Sequence, residues 1–189
     1  MDKRLSQLLE RDEKLLWSGS PERFETLDKT NKNSILIGSA LKLLVTLGIV
    51  IAYLYATRST AGIKPGLLLI LLAAGGMALA NPFIVAGRLR NNTIYGLTDR
   101  RILRAGSCEE GVPYERIKRA VLRSDADGHM TLLCGPRATE LKPAQWRIEA
   151  DASIINGSSD PECDRLILYA LPMDAELKSL LEEKLPILQ

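Results

Sequence analysis

A chain of 189 residues with 46% apolar content has room for one or two domains, and its net charge of +2 gives no reason to expect nucleic-acid binding. Three cysteines (Cys108, Cys134 and Cys163) without a CxxC spacing make neither a disulfide framework nor a zinc site, and are expected to be reduced thiols. The single histidine, His129, leaves little material for metal or triad chemistry.

Residues 1–34 carry seven Lys/Arg and seven Asp/Glu with no sustained apolar run. They are expected to form a cytoplasmic leader, not a cleavable signal peptide. Two apolar stretches follow, Ile35–Ala56 with 22 residues and Gly66–Ala86 with 21. Each is close to the roughly 20 residues a helix needs to cross a hydrocarbon core of about 30 Å. Residues 35–86 therefore predict a two-helix transmembrane hairpin. Lys42 lies inside the first helix, and neither helix offers an acidic partner. It is read as snorkelling, with its stem on apolar surface and its Nζ at the headgroups. Ala73, Ala74, Gly75, Gly76, Ala78 and Ala80 are small enough for close helix packing, within the pair or between copies.

Flanking charge sets the orientation. Arg23, Lys29 and Lys32 precede the first helix, and Arg88, Arg90, Arg100, Arg101 and Arg104 follow the second. The connection holds only Arg58 and Lys64. Excess Lys/Arg marks the cytoplasmic side, so a multi-pass protein of the inner membrane with both termini cytoplasmic is expected.

Residues 87–189 read as an α+β cytoplasmic domain. Thr93–Leu97 is a β-branched and aromatic run, broken by the polar Thr98-Asp99-Arg100 and resumed by Arg101–Arg104, which reads as a tight hairpin. Tyr114–Arg123 and Met130–Cys134 flank Asp125-Ala126-Asp127-Gly128, a second hairpin. Trp146–Ala150 alternates as a half-buried strand, residues 151–164 read as a surface loop, and Arg165–Ala170 as a last strand. Leu177, Leu180, Leu181 and Leu185 then share one helix face, with Asp174 placed to cap the start.

Tyr95-Gly-Leu-Thr-Asp-Arg-Arg-Ile-Leu-Arg-Ala-Gly106 and Glu13-Lys-Leu-Leu-Trp-Ser-Gly-Ser-Pro21 resemble two segments of the bacterial pleckstrin-homology-like membrane proteins. The order of leader, helix pair and domain is also similar. The resemblance implies a PH-like antiparallel β-sheet or barrel capped by the C-terminal helix, with no catalytic activity and no established ligand. It also marks Trp17, Gly19, Pro21, Tyr95, Thr98, Arg101 and Gly106 as motif positions with structural roles.

No Walker loop, GxGxxG, HExxH, GxSxG or CxxC occurs, so no catalytic residue, metal ligand, cofactor or small-molecule substrate is expected. Arg88, Arg90, Arg100 and Arg104 are the candidate lipid-proximal residues, since each basic residue near an anionic leaflet contributes about 1 kcal/mol. Residues 88–189 otherwise balance 15 Lys/Arg against 16 Asp/Glu. Arg116, Lys118, Arg119 and Arg123 form a second basic run, read as a solvated strand face. The expected partners are the bilayer and either another protein or further copies of the chain. The expected function is a membrane-anchored, non-catalytic PH-like interaction module. The alternatives are an anionic-lipid headgroup sensor or an auxiliary subunit of a larger membrane complex.

Overall fold

The computed structural model describes residues 3–58, 62–107, 109–152, 155–156, 163–172 and 174–185. Cys108 and most of the expected 151–164 loop lie outside the described residues.

The apolar stretches form two long antiparallel helices, α2 (Lys32–Arg58) and α3 (Pro65–Asn92), both long and apolar enough to span a membrane. Their side chains are largely uncovered: Ile37 and Met77 are each 71% exposed, and no residue of α2 counts as buried. A contiguous apolar surface of this extent marks contact with a membrane or with another protein. The pair approaches closely at Gly75, where a Cβ would stand 2.4 Å from Thr46 Cγ2. The small-residue seam therefore serves packing within the chain at Gly75, whereas a Cβ on Gly76 would meet nothing.

The leader is not a separate segment. After α1 (Lys3–Leu8), β1 (Leu15–Gly19) joins the edge of a sheet whose other members follow the helix pair: β2 (Ile94–Thr98), β3 (Arg101–Ala105) and β4 (Glu110–Pro113). Trp17 pairs with Leu97, and Gly19 with Tyr95. The expected boundary at residue 34 thus gives way to a domain built from both sides of the helices.

A second four-stranded sheet has the order β5-β6-β8-β7, from β5 (Ala120–Ser124), β6 (Met130–Cys134), β7 (Ile155–Asn156) and β8 (Cys163–Leu171). A 3-10 turn at Tyr114–Arg116 separates β4 from β5, and among the described residues the two sheets share no hydrogen-bonded strand pair. The antiparallel sheets are therefore not closed into a barrel. Helix α6 (Ala175–Lys184) packs Leu177, Leu181 and the following Leu185 into the core they share. Asp174 caps α6 by accepting the Leu177 N–H at 2.6 Å. Because Leu181 is fully buried there, Leu181→Ala should cost about 2–5 kcal/mol, read as an earlier thermal unfolding of the full chain in detergent.

The segment expected to be a strand, Trp146–Ala150, is part of a helix. Helix α5 (Pro143–Asp151) follows a short α4 (Pro136–Glu140). Alternation would bury positions 146, 148 and 150, but Trp146, Arg147 and Ala150 are buried while Ile148 is half exposed. Pro143 at the first turn and Gln145 Oε1, which accepts the Lys142 N–H at 3.1 Å, start the helix. Trp146 is core nevertheless, in a second cluster with Leu133, Ile167 and Tyr169 from the outer face of the second sheet. Val85, Ala86 and Leu89 of α3 belong to the same cluster.

Candidate functional site at the junction of helices and sheets

The motif residues cluster at two structural contacts. Thr98 Oγ1 accepts the N–H groups of Arg100 and Arg101 at 3.1 and 2.9 Å, closing the β2–β3 turn, and lies 2.7 Å from Glu13 Oε1. Arg101 grips Glu13 with two parallel bonds of 2.9 Å, donates to Leu8 O, and pairs with Glu10 at 3.0 Å. The Arg101 guanidinium, with other bonds from Glu10 and Thr98, outweighs burial and holds the Glu13 carboxyl down to about 2. Tyr95 is buried, and its hydroxyl donates to Tyr169 O and accepts the Tyr169 N–H. Burial pushes its phenol upward. Trp17 lies over Gly19, where a Cβ would come 2.6 Å from its ring, and packs on the main core. Pro21 is buried, and Gly106 lets Thr93 approach closely.

The four arginines expected near lipid separate. Arg104 is only 4% exposed. Its guanidinium donates to Ala150 O, to Ala152 O and to Glu110, joining β3 to the end of α5, so it is not available to a headgroup. Arg100 is exposed but sits in the turn at the opposite end of β2 from α3, about 15 Å along a strand rising ~3.3 Å per residue. Arg88 and Arg90, in the last turns of α3, are exposed, and Arg88 lies 3.6 Å from Asp151. Arg116, Lys118, Arg119 and Arg123 are exposed on and before β5, which is an edge strand.

Sequence reasoning gave no role to Arg147, which is the centre of the junction. It is 3% exposed. Its guanidinium pairs with Asp28, donates to Thr26 O at 2.9 Å and to the Tyr169 hydroxyl at 3.1 Å, and lies 4.5 Å from the Phe24 ring centroid. Asp28 in turn accepts the backbone and side-chain N–H of Asn31, setting the entry to α2. Asp125 and Asp127 lie alongside. Asp125 accepts from Tyr169 Oη and from the Asp127 and His129 N–H groups, while Asp127 accepts from Lys29 and Thr30. These three carboxylates converge within 4.8 Å, yet each of their oxygens already has a donor and Arg147 supplies positive charge. The cluster is thus a lock between the 26–31 turn, the β5–β6 turn and α5.

Between α2, α3 and α5 lies a cavity of about 200 Å³. Asn31, Ser34 and Lys42 line it from α2 and the turn before it, Pro82 from α3, and Arg147 and Ile148 from α5. Lys42 does not snorkel. Its Nζ donates across the pair to Ala78 O at 3.1 Å. Pro82 explains this: it has no N–H, so the carbonyl four residues earlier, Ala78, loses its helical donor. Inside an apolar phase such an orphan must be satisfied by a neighbour, and Lys42 does so. The sequence held that signal in the spacing of Ala78 and Pro82.

Compared with known proteins, the chain matches no family model, no curated protein and no solved structure. Its chemistry is therefore read from its own geometry. Burial pushes the Cys163 thiol up to about 11 and the Cys134 thiol higher than usual, which disfavours thiolate at both. Tyr169 is likewise shifted upward by burial. What the junction does is mechanical: it fastens two long apolar helices to two sheets through buried charge and aromatic contacts.

Proposed function

We propose that this chain is a non-catalytic module anchored in the inner membrane, holding a PH-like domain at the cytoplasmic face for contact with another protein or with further copies of itself. One observation carries the reading: the domain-side end of α3, Val85, Ala86 and Leu89, is buried in the same cluster as the outer face of the second sheet. The helices are therefore built into the domain and not merely tethered to it. Two antiparallel four-stranded sheets with a C-terminal helix in their shared core support the PH-like likeness. The hairpin enters between β1 and β2, and α4, α5 and β7 stand before the last strand as additions to that plan. The contact surface with the best support is the β5 edge, which among the described residues pairs only with β6 and exposes Arg123.

The test has two parts. The chain should resist carbonate extraction from membranes. With Cys108 replaced by serine, Ile63→Cys should react with an impermeant thiol reagent from outside the cell, and Ser124→Cys only after permeabilisation. Extraction by carbonate would refute the anchor, and the reverse labelling pattern the orientation. A photo-crosslinking amino acid in place of Arg123 should then join the chain to a second polypeptide in intact membranes. A chain that crosslinks to none would refute the interaction role.

A further inference from the structure

The cavity at the junction combines a cation, hydroxyl and amide groups and an apolar wall. Lys42 is one of its lining residues, and neither α2 nor α3 contains an Asp or Glu. The ammonium has three N–H donors, and the Ala78 carbonyl takes one. Among the described residues no carboxylate pairs with Lys42 and none lines the cavity; Asp28, which holds two of the lining residues, is engaged by Arg147 and Asn31. At the other side Arg147 keeps its Nε–H buried without a hydrogen-bond partner among the described residues. Ser34 and Asn31 add polar groups, whereas Ile35, Gly38, Pro82 and Val85 make the wall apolar. The volume of about 200 Å³ is more than ten times the roughly 15 Å³ that admits one water.

Position along the helices suits the same occupant. From Val85 to Asn92 about 12 Å of α3 at 1.5 Å per residue belongs to the domain side, leaving Pro65 to Ile84 at about 30 Å, the thickness of a hydrocarbon core. The cavity is lined by Pro82 and Val85, so it straddles that boundary. The Lys42 ammonium, held at the Ala78 carbonyl seven residues before Val85, lies about 10 Å on the hydrocarbon side of it, far from water, where a lipid phosphate drawn down into the cavity is the counter-charge nearest to hand.

We infer that this cavity binds the phosphate headgroup of an anionic phospholipid of the cytoplasmic leaflet, with Lys42 as its counter-charge and the Gly38–Pro82 wall against its glycerol and upper acyl chain. The inference rests on the membrane-anchored reading above and gives the domain a lipid-dependent fastening to its helices. A basic pocket between membrane helices is suited to acidic headgroups. Selectivity comes from net charge: phosphatidylcholine carries the same phosphate but cancels it with its own cation.

The full chain in non-ionic detergent is titrated with short-chain phosphatidylglycerol, short-chain phosphatidylcholine and inorganic phosphate, binding being followed by native mass spectrometry. Each variant is first scored for carbonate resistance in membranes, so that loss of the anchor is separated from loss of the site. Phosphatidylglycerol should bind more tightly than phosphatidylcholine by about five-fold, the worth of one basic residue near a surface. Lys42→Gln keeps an N–H for Ala78 O and should erase that preference. Gly38→Leu, at a position where a Cβ meets nothing within 4 Å, should fill the cavity and abolish binding of both lipids. Equal affinity for the two lipids, or an unchanged preference in either integrated variant, overturns the proposal. Competition by inorganic phosphate at the lipid's own concentration also overturns it, by assigning the cavity to a free anion.

Discussion

Arg147→Met should destabilise the full chain by about 3–5 kcal/mol, the cost of leaving a buried charge without its partner. Arg147 and Asp28 have side chains 3% and 4% exposed, so neither can recover its hydration if the other is removed. Methionine keeps the apolar stem volume beside Phe24 but loses the bonds to Asp28, Thr26 O and the Tyr169 hydroxyl. Those bonds join the turn before α2 to α5 and β8, so the loss should loosen the helices from the sheets as well as weaken the domain. The buried thiols of Cys134 and Cys163 give the readout, since they react only when their surroundings open. Their labelling in detergent should accelerate strongly in the variant. Adding Asp28→Asn removes the stranded charge while keeping an oxygen for the Asn31 N–H, and should return a large part of the loss. A single variant as stable as the parent would mean that the pair is not sealed from solvent.

The second large effect is a pH dependence centred on Glu13. Its folded carboxyl titrates near 2, against an ordinary value of 4.5 in the unfolded chain, because Arg101 binds the ionised form with two bonds. A depressed acid stabilises the fold at pH values above 4.5, and this contribution is lost as pH falls from 4.5 towards 2. At about 1.36 kcal/mol per pH unit, discounted for partial exposure of Arg101, the contribution is roughly 2–3 kcal/mol. The difference in unfolding free energy between the parent and Glu13→Gln should therefore have that size at pH 7, fall steeply between pH 4.5 and 2, and vanish only below the folded value. A difference constant across that range would deny the ion pair its role. Arg101→Lys should fall between the two at pH 7, since an ammonium keeps the charge but cannot make the paired bonds.

The parts of this protein legible from its residues are those set by local pattern. The two apolar helices follow from unbroken apolar runs, which need no partner to be recognised. The β2–β3 and β5–β6 hairpins follow from turn residues between β-branched and apolar runs, and α6 from leucines on one face with Asp174 at its cap. The tight Thr98 turn is likewise local, because Thr98 bonds residues two and three positions on.

What pattern could not supply was decided by contacts between distant residues. Trp146–Ala150 is too short for its period to distinguish strand from helix, and the burial of Arg147 against Asp28 settles it, across 119 positions. Arg104 looks like a membrane-facing charge until α5 brings two carbonyls over it. The leader looks separate until β1 finds the edge of β2 on the far side of both helices. In each case the deciding free energy is the desolvation of a charge or an unpaired strand edge. That cost exists only once the chain has brought the surrounding elements together.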